Sequence, residues 1–167
     1  KLVSQRIVWG KLLNGGQTCV APDYLIVKES IKVDLINALK KEVESSYGDV
    51  KNSEDYPRII NLKNFNRLTS LLKNVTIAFG GDYDEKELYI SPTIIDEPSL
   101  NSEIMKDEIF GPLLPVLTYN SMEDLETIIW NYEKPLSLYI FSKKKTFVKQ
   151  LLSKFSYGGG AVNDTLI

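Results

Sequence analysis

The stretch Leu113-Leu-Pro-Val-Leu-Thr-Tyr119, with the residues that follow it, decides the fold class. This apolar run predicts a buried strand. Ser121 and Asp124 have the spacing of a capping-box variant, so we expect a helix to begin there. The next strand and helix are predicted at 136–141 and 146–155. Strands that alternate with helices in this way are typical of a parallel sheet covered by helices.

The same alternation extends over the rest of the chain. Further helices are predicted at 1–13, at 30–47 with Ser30 as the cap, and at 61–73. Further strands are predicted at 25–27, 75–79, 88–95 and 160–163. No internal repeat, low-complexity tract or linker interrupts the pattern. The sequence therefore predicts one α/β domain over 1–167, with a mostly parallel sheet and helices on both faces.

Composition restricts the chemistry that the chain can perform. The 167 residues include one cysteine and no histidine. The lack of histidine excludes a Ser-His or Cys-His pair and a zinc site with imidazole ligands. A single cysteine excludes an internal disulfide and a C-x-x-C site, so we expect no metal. The candidates that remain are carboxylates, lysines, backbone donors and the thiol.

Net charge and hydropathy indicate whether the chain could bind nucleic acid or span a membrane. Twenty Lys and Arg residues against 22 Asp and Glu give a net charge of −2, which excludes a basic surface for nucleic acid. No apolar run approaches the roughly 20 residues needed to span a bilayer. We therefore expect an intracellular, soluble protein. The chain begins without Met, so we interpret it as part of a longer protein.

The cysteine lies in an unusual loop. Asn14-Gly15-Gly16-Gln17-Thr18-Cys19 places it just beyond a predicted helix, in a glycine-rich segment. Such a loop can expose a side chain and direct backbone N–H groups toward one point, as an oxyanion site requires. A free cysteine is also often a small buried apolar residue, and spacing alone leaves both interpretations open. Trp9, on the preceding helix, is expected in the core.

The residues around Cys19 resemble a known family. Arg6-Ile7 to Gly10-Lys11, followed by Asn14 to Tyr24, resembles the nucleophile segment of the aldehyde dehydrogenases, particularly the class 3 or fatty-aldehyde branch. Three later segments resemble motifs of the same family, in the same order: Glu108-Ile109-Phe110-Gly111-Pro112, Lys134-Pro135-Leu136-Ser137-Leu138-Tyr139, and Gly158-Gly159 with Val162-Asn163-Asp164.

The resemblance implies a catalytic domain and a role for each matched residue. Cys19 would attack an aldehyde, its backbone N–H would stabilise the oxyanion, and the thiohemiacetal would yield a thioester after hydride transfer to NAD or NADP. Gln17 and Thr18 would support this loop. Glu108 would hold ribose hydroxyls, and Phe110 would pack against the cofactor. Asn163 would either orient the cysteine loop or cap a strand end.

The resemblance also implies parts that lie outside the chain. No glycine-rich phosphate loop is present, so we expect the dinucleotide-binding domain, with most of the cofactor site, to be absent. The family's oxyanion asparagine and deacylating glutamate would lie upstream. We expect the isolated chain to fold but not to turn over. The full-length protein would be a homodimer, and in the fatty-aldehyde branch a C-terminal anchor could attach it to a membrane.

Two alternatives remain at this stage. The chain could be a non-catalytic α/β domain of the same fold, serving interaction or regulation. It could also belong to an acyl-CoA reductase or a semialdehyde dehydrogenase, which share the thioester chemistry. Ala21-Pro22-Asp23-Tyr24 favours the class 3 branch, whose substrates would be medium- or long-chain aliphatic or aromatic aldehydes. We expect the protein in the cytoplasm or on an organelle membrane.

Overall fold

A computed structural model describes residues 1–166 of the chain. The helices are α1 (Leu2–Leu12), α2 (Lys32–Tyr47), α3 (Leu62–Ser70), α4 (Met122–Trp130) and α5 (Lys145–Lys154). The strands are β1 (Leu25–Lys28), β2 (Thr76–Phe79), β3 (Tyr83–Asp84), β4 (Tyr89–Ile90), β5 (Thr93–Asp96), β6 (Leu113–Tyr119), β7 (Ser137–Ile140) and β8 (Gly159–Val162). Within this described part, no helix is long and apolar enough to cross a membrane.

The main sheet has four strands in the order β1-β6-β5-β2. Strand β6 pairs in parallel with β1 on one side and with β5 on the other. Strand β2 joins the edge antiparallel to β5. The sheet is therefore mixed but mostly parallel, which confirms the predicted fold class.

Helices cover both faces of this sheet. Leu114 and Val116 of β6 belong to an apolar core shared with α1 and α2. Leu113 and Leu117, which point to the other face, belong to a second core shared with α3 and α4. Successive side chains of a strand point to opposite faces, so a strand buried on both faces needs apolar residues at every position. This requirement explains the continuous apolar run at 113–117.

One predicted strand is in fact two. The prediction of a strand over 88–95 is wrong because the chain changes sheet at Ser91-Pro92. Strand β4 forms a two-stranded antiparallel ladder with β3, whereas β5 lies in the main sheet. Ser91 holds the crossing, since its N–H donates to the Asp82 carbonyl and its hydroxyl accepts from the Asp82 N–H. Proline, which lacks a donor, marks this break in the ladder.

Strands β7 and β8 form a separate parallel pair. Ile140 packs in a third apolar cluster with Leu125 of α4 and Leu151 of α5. The last strand begins and ends one residue earlier than the predicted 160–163.

The starts of two helices test the capping predictions. The predicted capping box of α4 is confirmed: the Asp124 N–H donates to the Ser121 hydroxyl, and the Ser121 N–H donates to the Asp124 carboxylate. The prediction that Ser30 caps α2 is wrong. A single 3₁₀ turn, Glu29–Ile31, precedes this helix, and Ile31 is its first flanking residue, without a side-chain cap.

Candidate functional site

The loop that carries the thiol begins with a reversal of the chain. Helix α1 ends at Leu12, and Leu13–Gly16 form a 3₁₀ turn. Asn14, Gly15 and Gly16 all have positive φ, of 52°, 64° and 75°. Glycine adopts this region without a steric penalty, and asparagine tolerates it better than most residues. The Asn-Gly-Gly run is therefore the local reason that the chain turns sharply after α1.

Cys19 lies at the tip of the next turn. The Ala21 N–H donates to the Thr18 carbonyl at 3.1 Å, which closes a turn around Cys19. The cysteine is exposed. The interpretation of Cys19 as a small buried apolar residue is therefore wrong. Thr18 lies beneath it, with a buried hydroxyl that has no hydrogen-bond partner among the described residues.

Gln17 fixes this loop to the opposite segment of the chain. Its Nε2 donates to the carbonyls of Asn14 and Arg58, at 2.9 and 3.2 Å. Its Oε1 accepts from the Ile60 N–H at 3.0 Å. Both ends of the amide are used, so Gln17 holds the base of the cysteine loop against residues 58–60.

The glycines of the two main motifs pack against each other. A Cβ placed on Gly16 would collide with the Gly111 carbonyl and would lie 3.0 Å from the Lys11 carbonyl oxygen. Only a residue without a side chain permits this approach. The Asn-Gly-Gly loop and the Phe-Gly-Pro segment are therefore in direct backbone contact, although they are far apart in sequence.

Two side chains fix the segment that precedes Gly111. The Ile109 N–H donates to Asp23 Oδ1 at 3.0 Å, and Arg67 donates to the Ile109 carbonyl at 2.6 Å. Ile109 itself is 1% exposed. Asp23 lies just beyond the cysteine turn, so this bond joins the Cys19 segment to the second motif. Arg67, on α3, had no signal in the sequence that pointed to this role.

Glu108 and Phe110 project outward on either side of the buried Ile109. Both are exposed, and Phe110 has a positive φ of 49°. A carboxylate can accept hydrogen bonds from two hydroxyls, and an accessible ring can pack against a planar group. The anchored backbone leaves both side chains accessible, so each is free to make the contact expected of it.

A buried lysine lies between these motifs. Lys11 is 2% exposed, and its ammonium has no hydrogen-bond partner among the described residues. Burial lowers the pKa of Lys11 to about 8, against the opposing charges of Asp23 and Glu108. Burial also raises the pKa of Asp23, against the charge of Lys11. Lys11 was not predicted from the sequence as a site residue. The sequence feature that could have identified it is the helical spacing of Lys11 from Ile7 and Val8, which places a charged residue on an apolar face of α1.

Asn163 lies apart from this cluster. Its Oδ1 accepts from the Ser142 N–H at 3.0 Å, and its Nδ2 donates to the Ser142 carbonyl at 3.2 Å. These bonds fasten the end of β8 to the end of β7. They correspond to the strand-end alternative and not to orientation of the cysteine loop. Asn163 also lines an open groove of about 690 Å³ with Val148 and Leu152.

Thr165 and Tyr139 stabilise the segments that lie before and after Cys19. The Thr165 hydroxyl donates to the Arg6 carbonyl on α1 at 2.8 Å. Gly10 packs closely against Thr165, since a Cβ there would lie 2.5 Å from the Thr165 hydroxyl oxygen. The Tyr139 hydroxyl donates to the Val20 carbonyl at 2.8 Å. These supports were not predicted from the sequence, because they join elements that are distant in sequence.

No cluster of three or more metal-ligating side chains occurs within residues 1–166. The carboxylates near Cys19 instead bind the backbone, as Asp23 does, or project outward, as Glu108 does.

A comparison with family models matches residues 1–167 to the aldehyde dehydrogenase family. Among curated proteins, the 4,4'-diaponeurosporen-aldehyde dehydrogenase of Staphylococcus aureus is 51% identical over 100% of this chain, which covers 37% of that protein. Aldehyde dehydrogenase family 3 member A2 of Mus musculus is 43% identical over 98% of the chain, covering 34% of that protein. The dimeric NADP-preferring aldehyde dehydrogenase of Rattus norvegicus is 42% identical over 98% of the chain, covering 36% of that protein.

Solved structures agree with this match. The substrate-bound state of Staphylococcus aureus AldH has a TM-score of 0.96 and 50% identity, and the match covers 99% of this chain and 37% of that one. Lactaldehyde dehydrogenase from Escherichia coli, with a TM-score of 0.87 and 21% identity over 99% of this chain and 37% of its own, shares the fold. The chain spans just over a third of the length of these relatives.

Replacing Gly16 tests whether the contact with Gly111 shapes the loop. We expect Gly16→Ala to lower the free energy of unfolding by about 2–4 kcal/mol, because the new methyl group meets backbone and the residue has positive φ. It should also slow alkylation of Cys19 by displacing the turn. Gly159→Ala is the matched control, since a Cβ there meets nothing within 4 Å. Equal effects of the two substitutions on unfolding and alkylation would contradict the close-contact interpretation.

Lys11 should make stability depend on pH. Its pKa is about 8 in the folded chain and 10.5 when unfolded. Below pH 8 both states carry the charge, and the full penalty of burying it, about 3 kcal/mol, is present. As pH rises from 8 to 10.5, the folded state loses the proton first, so the penalty falls and the Lys11 contribution to stability rises.

Denaturant unfolding of wild type and Lys11→Met across this pH range measures the effect. The variant should be the more stable protein at neutral pH, and the difference should shrink toward pH 10.5. Lys41→Met, at an exposed position on α2, is the control and should show no such trend. A difference that stays constant with pH would mean that the pKa of Lys11 is the same in the folded and the unfolded chain, and that burial does not lower it.

Proposed function

Because the chain belongs to the aldehyde dehydrogenase family, we propose that it is the nucleophile-bearing catalytic domain of an NAD- or NADP-dependent aldehyde dehydrogenase. The observation that carries this proposal is the position of Cys19. The chain's one thiol is exposed at the tip of a turn, and its loop is in backbone contact with the segment that carries Glu108 and Phe110. Nucleophile and cofactor-contacting residues would therefore face the same reaction space.

The first step is attack by the Cys19 thiolate on the aldehyde. Sulfur forms a bond to the carbonyl carbon, and the carbonyl oxygen takes the electron pair as an alkoxide. The Cys19 N–H is available to this oxygen, since it has no acceptor among the described backbone groups. A backbone donor that is already in position stabilises this negative charge without a cost for reorganisation. The hydrogen bonds of Gln17 supply that rigidity, and Thr18 supports the turn from beneath.

Oxidation requires a hydride acceptor. A bound nicotinamide would supply this acceptor. The thiohemiacetal carbon would lose its hydride while its bond to the Cys19 sulfur remains, which leaves a thioester on Cys19. Glu108 would accept hydrogen bonds from the ribose hydroxyls, and the Phe110 ring would pack against the bound dinucleotide. The hydrogen bonds of Arg67 and Asp23 to the Ile109 backbone fix the segment that carries both side chains.

Water then attacks the thioester carbonyl, and the Cys19 thiolate leaves with formation of a carboxylic acid. This water needs a base. The chain contains no histidine, and the carboxylates of the two motifs have other proposed or observed partners. Asp23 is bonded to the backbone, and Glu108 would bind ribose. We propose that the base is a glutamate upstream of this chain, together with an asparagine that completes the oxyanion site.

The surroundings of the loop favour an apolar aldehyde. Ile60, bonded through its N–H to Gln17, is 73% exposed, and Leu13 is 44% exposed. Trp9 is 39% exposed, so the expectation that it lies in the core is wrong. We propose that these side chains contribute to the path of a medium- or long-chain aliphatic or aromatic aldehyde. The relative that acts on 4,4'-diaponeurosporen-aldehyde supports this substrate class.

Assembly and location are further proposals. We propose a homodimer for the full-length protein, in line with the dimeric rat relative. We also propose that the protein is intracellular, either cytoplasmic or held at an organelle membrane by a segment C-terminal to this chain.

Substitution of Cys19 tests the nucleophile. In the full-length protein, Cys19→Ser should lower kcat by about 10³-fold or more, because a serine hydroxyl without a base is a poor nucleophile at neutral pH. Thermal unfolding and dinucleotide binding should be unchanged, since Cys19 is exposed. Near-wild-type turnover would refute the assignment. Rapid alkylation of Cys19 in the wild type, slowed by aldehyde or dinucleotide, would separate this role from that of a non-catalytic interaction domain.

The isolated chain tests whether the catalytic base lies outside residues 1–167. We expect residues 1–167 to fold but to oxidise a medium-chain aldehyde negligibly with either NAD or NADP, because the proposed base lies upstream. Circular dichroism would measure folding, and nucleotide reduction at 340 nm would measure turnover. The full-length protein is the positive control. Turnover by the isolated chain at a comparable rate would show that a group within it acts as the base.

A further inference from the structure

The buried ammonium of Lys11 is a group that the proposed mechanism does not use. Lys11 is among the most buried large side chains of the molecule, and its Nζ has no hydrogen-bond partner among residues 1–166. Buried charges in proteins are normally paired, and leaving one unpaired is costly. Methionine would fill the same space on α1 without this penalty. The position of the charge therefore calls for a functional reason.

Lys11 lies at the contact between the two motifs, since its carbonyl oxygen lies against Gly16, which packs on Gly111. Three charged groups lie next to Ile109, two residues before Gly111. Asp23 follows the cysteine turn, Glu108 precedes Ile109, and Arg67 reaches in from α3. Asp23 and Arg67 are each committed to the Ile109 backbone, through its N–H and its carbonyl. Glu108 differs from them, because its side chain is exposed and makes no hydrogen bond within the described part of the chain. Among these groups, Glu108 alone has a side chain that is free to change its orientation.

We propose that Lys11 is a positioning residue for Glu108. Its buried charge attracts the Glu108 carboxylate toward the motif contact and restricts the directions in which the carboxylate points. A dinucleotide would then meet an acceptor that is already oriented, and would lose less side-chain entropy on binding. This inference rests on the proposed function, because it assumes that Glu108 binds the ribose.

The electrostatic relations agree with this assignment. Of the charges that act on Lys11, Asp23 and Glu108 both favour its protonated form. With a pKa of about 8, Lys11 is largely charged at neutral pH and largely neutral above pH 9. Arg67 acts on Asp23. A change from neutral pH to above pH 9 removes the charge of Lys11, which is the charge that we assign to the positioning of Glu108.

Dinucleotide binding by the full-length protein tests the proposal. NAD and NADP would each be titrated against wild type, Lys11→Met and the surface control Lys41→Met, at pH about 7 and about 9.5. At neutral pH we expect Lys11→Met to raise the dinucleotide Kd about fivefold, while Lys41→Met leaves it unchanged. Wild-type Kd should rise by a similar factor between the two pH values, and the Kd of Lys11→Met should not.

A second variant covers the case in which Lys11→Met fails to fold. Glu108→Gln removes the charge on which Lys11 acts, so the pH dependence of Kd between these values should disappear in that variant as well. If both single variants fold, the double variant should bind no more weakly than Glu108→Gln alone. A merely structural role for Lys11 would instead weaken binding equally at both pH values and add to the effect of Glu108→Gln.

The outcomes separate this proposal from the one it rests on. Absence of aldehyde oxidation by the wild-type full-length protein would overturn the proposed function. Wild-type oxidation together with a Kd that is the same in Lys11→Met, or a pH dependence that persists in Glu108→Gln, would overturn the role of Lys11 alone. The KM for the aldehyde should stay the same in Lys11→Met, since the inference concerns only the cofactor side of the site.

Discussion

The backbone contact between Gly16 and Gly111 is the constraint on which the site depends. It brings together two segments separated by most of the chain, and it leaves no room for a side chain on Gly16. The bond between Asp23 and the Ile109 N–H reinforces the contact a few residues further on. The segment with the exposed thiol and the segment with the exposed side chains of Glu108 and Phe110 are thereby held in a fixed relation to each other. Such rigidity is what an oxyanion site and an oriented cofactor both require.

The main sheet explains why this contact can be held. Strand β6 lies between β1 and β5, and it begins at Leu113, directly after the Phe-Gly-Pro segment. Strand β1 begins just after the cysteine turn and pairs in parallel with β6. Both motifs therefore lie at the same end of the sheet, at the N-terminal ends of the adjacent parallel strands β1 and β6. Apolar cores on both faces of that sheet resist movement of either strand, so the two loops keep a fixed separation.

Much of this arrangement could be predicted from the sequence, for identifiable reasons. The run at 113–117 indicates burial on two faces, and the Ser121 capping box marks the start of a helix, so the architecture follows from local patterns. The break at Ser91-Pro92 was not predicted, because an apolar run across a change of sheet looks like one strand. The residues matched to a family motif could be named in advance. The supports from Arg67, Thr165 and Tyr139 could not, because a hydrogen bond to a distant backbone group leaves no pattern in the local sequence.

The Thr165 contact with α1 has a consequence for how the protein is made. Arg6, whose carbonyl accepts this hydrogen bond, is synthesised 159 residues before Thr165. Domains fold as units as they leave the ribosome, and contacts of this separation form only after the later partner has emerged. The hydrogen bond from Thr165 to α1, the helix that leads to the cysteine loop, therefore forms late in the folding of this segment. Until the segment around Thr165 has emerged, a nascent chain would carry its thiol in a loop that is not yet held in its final position.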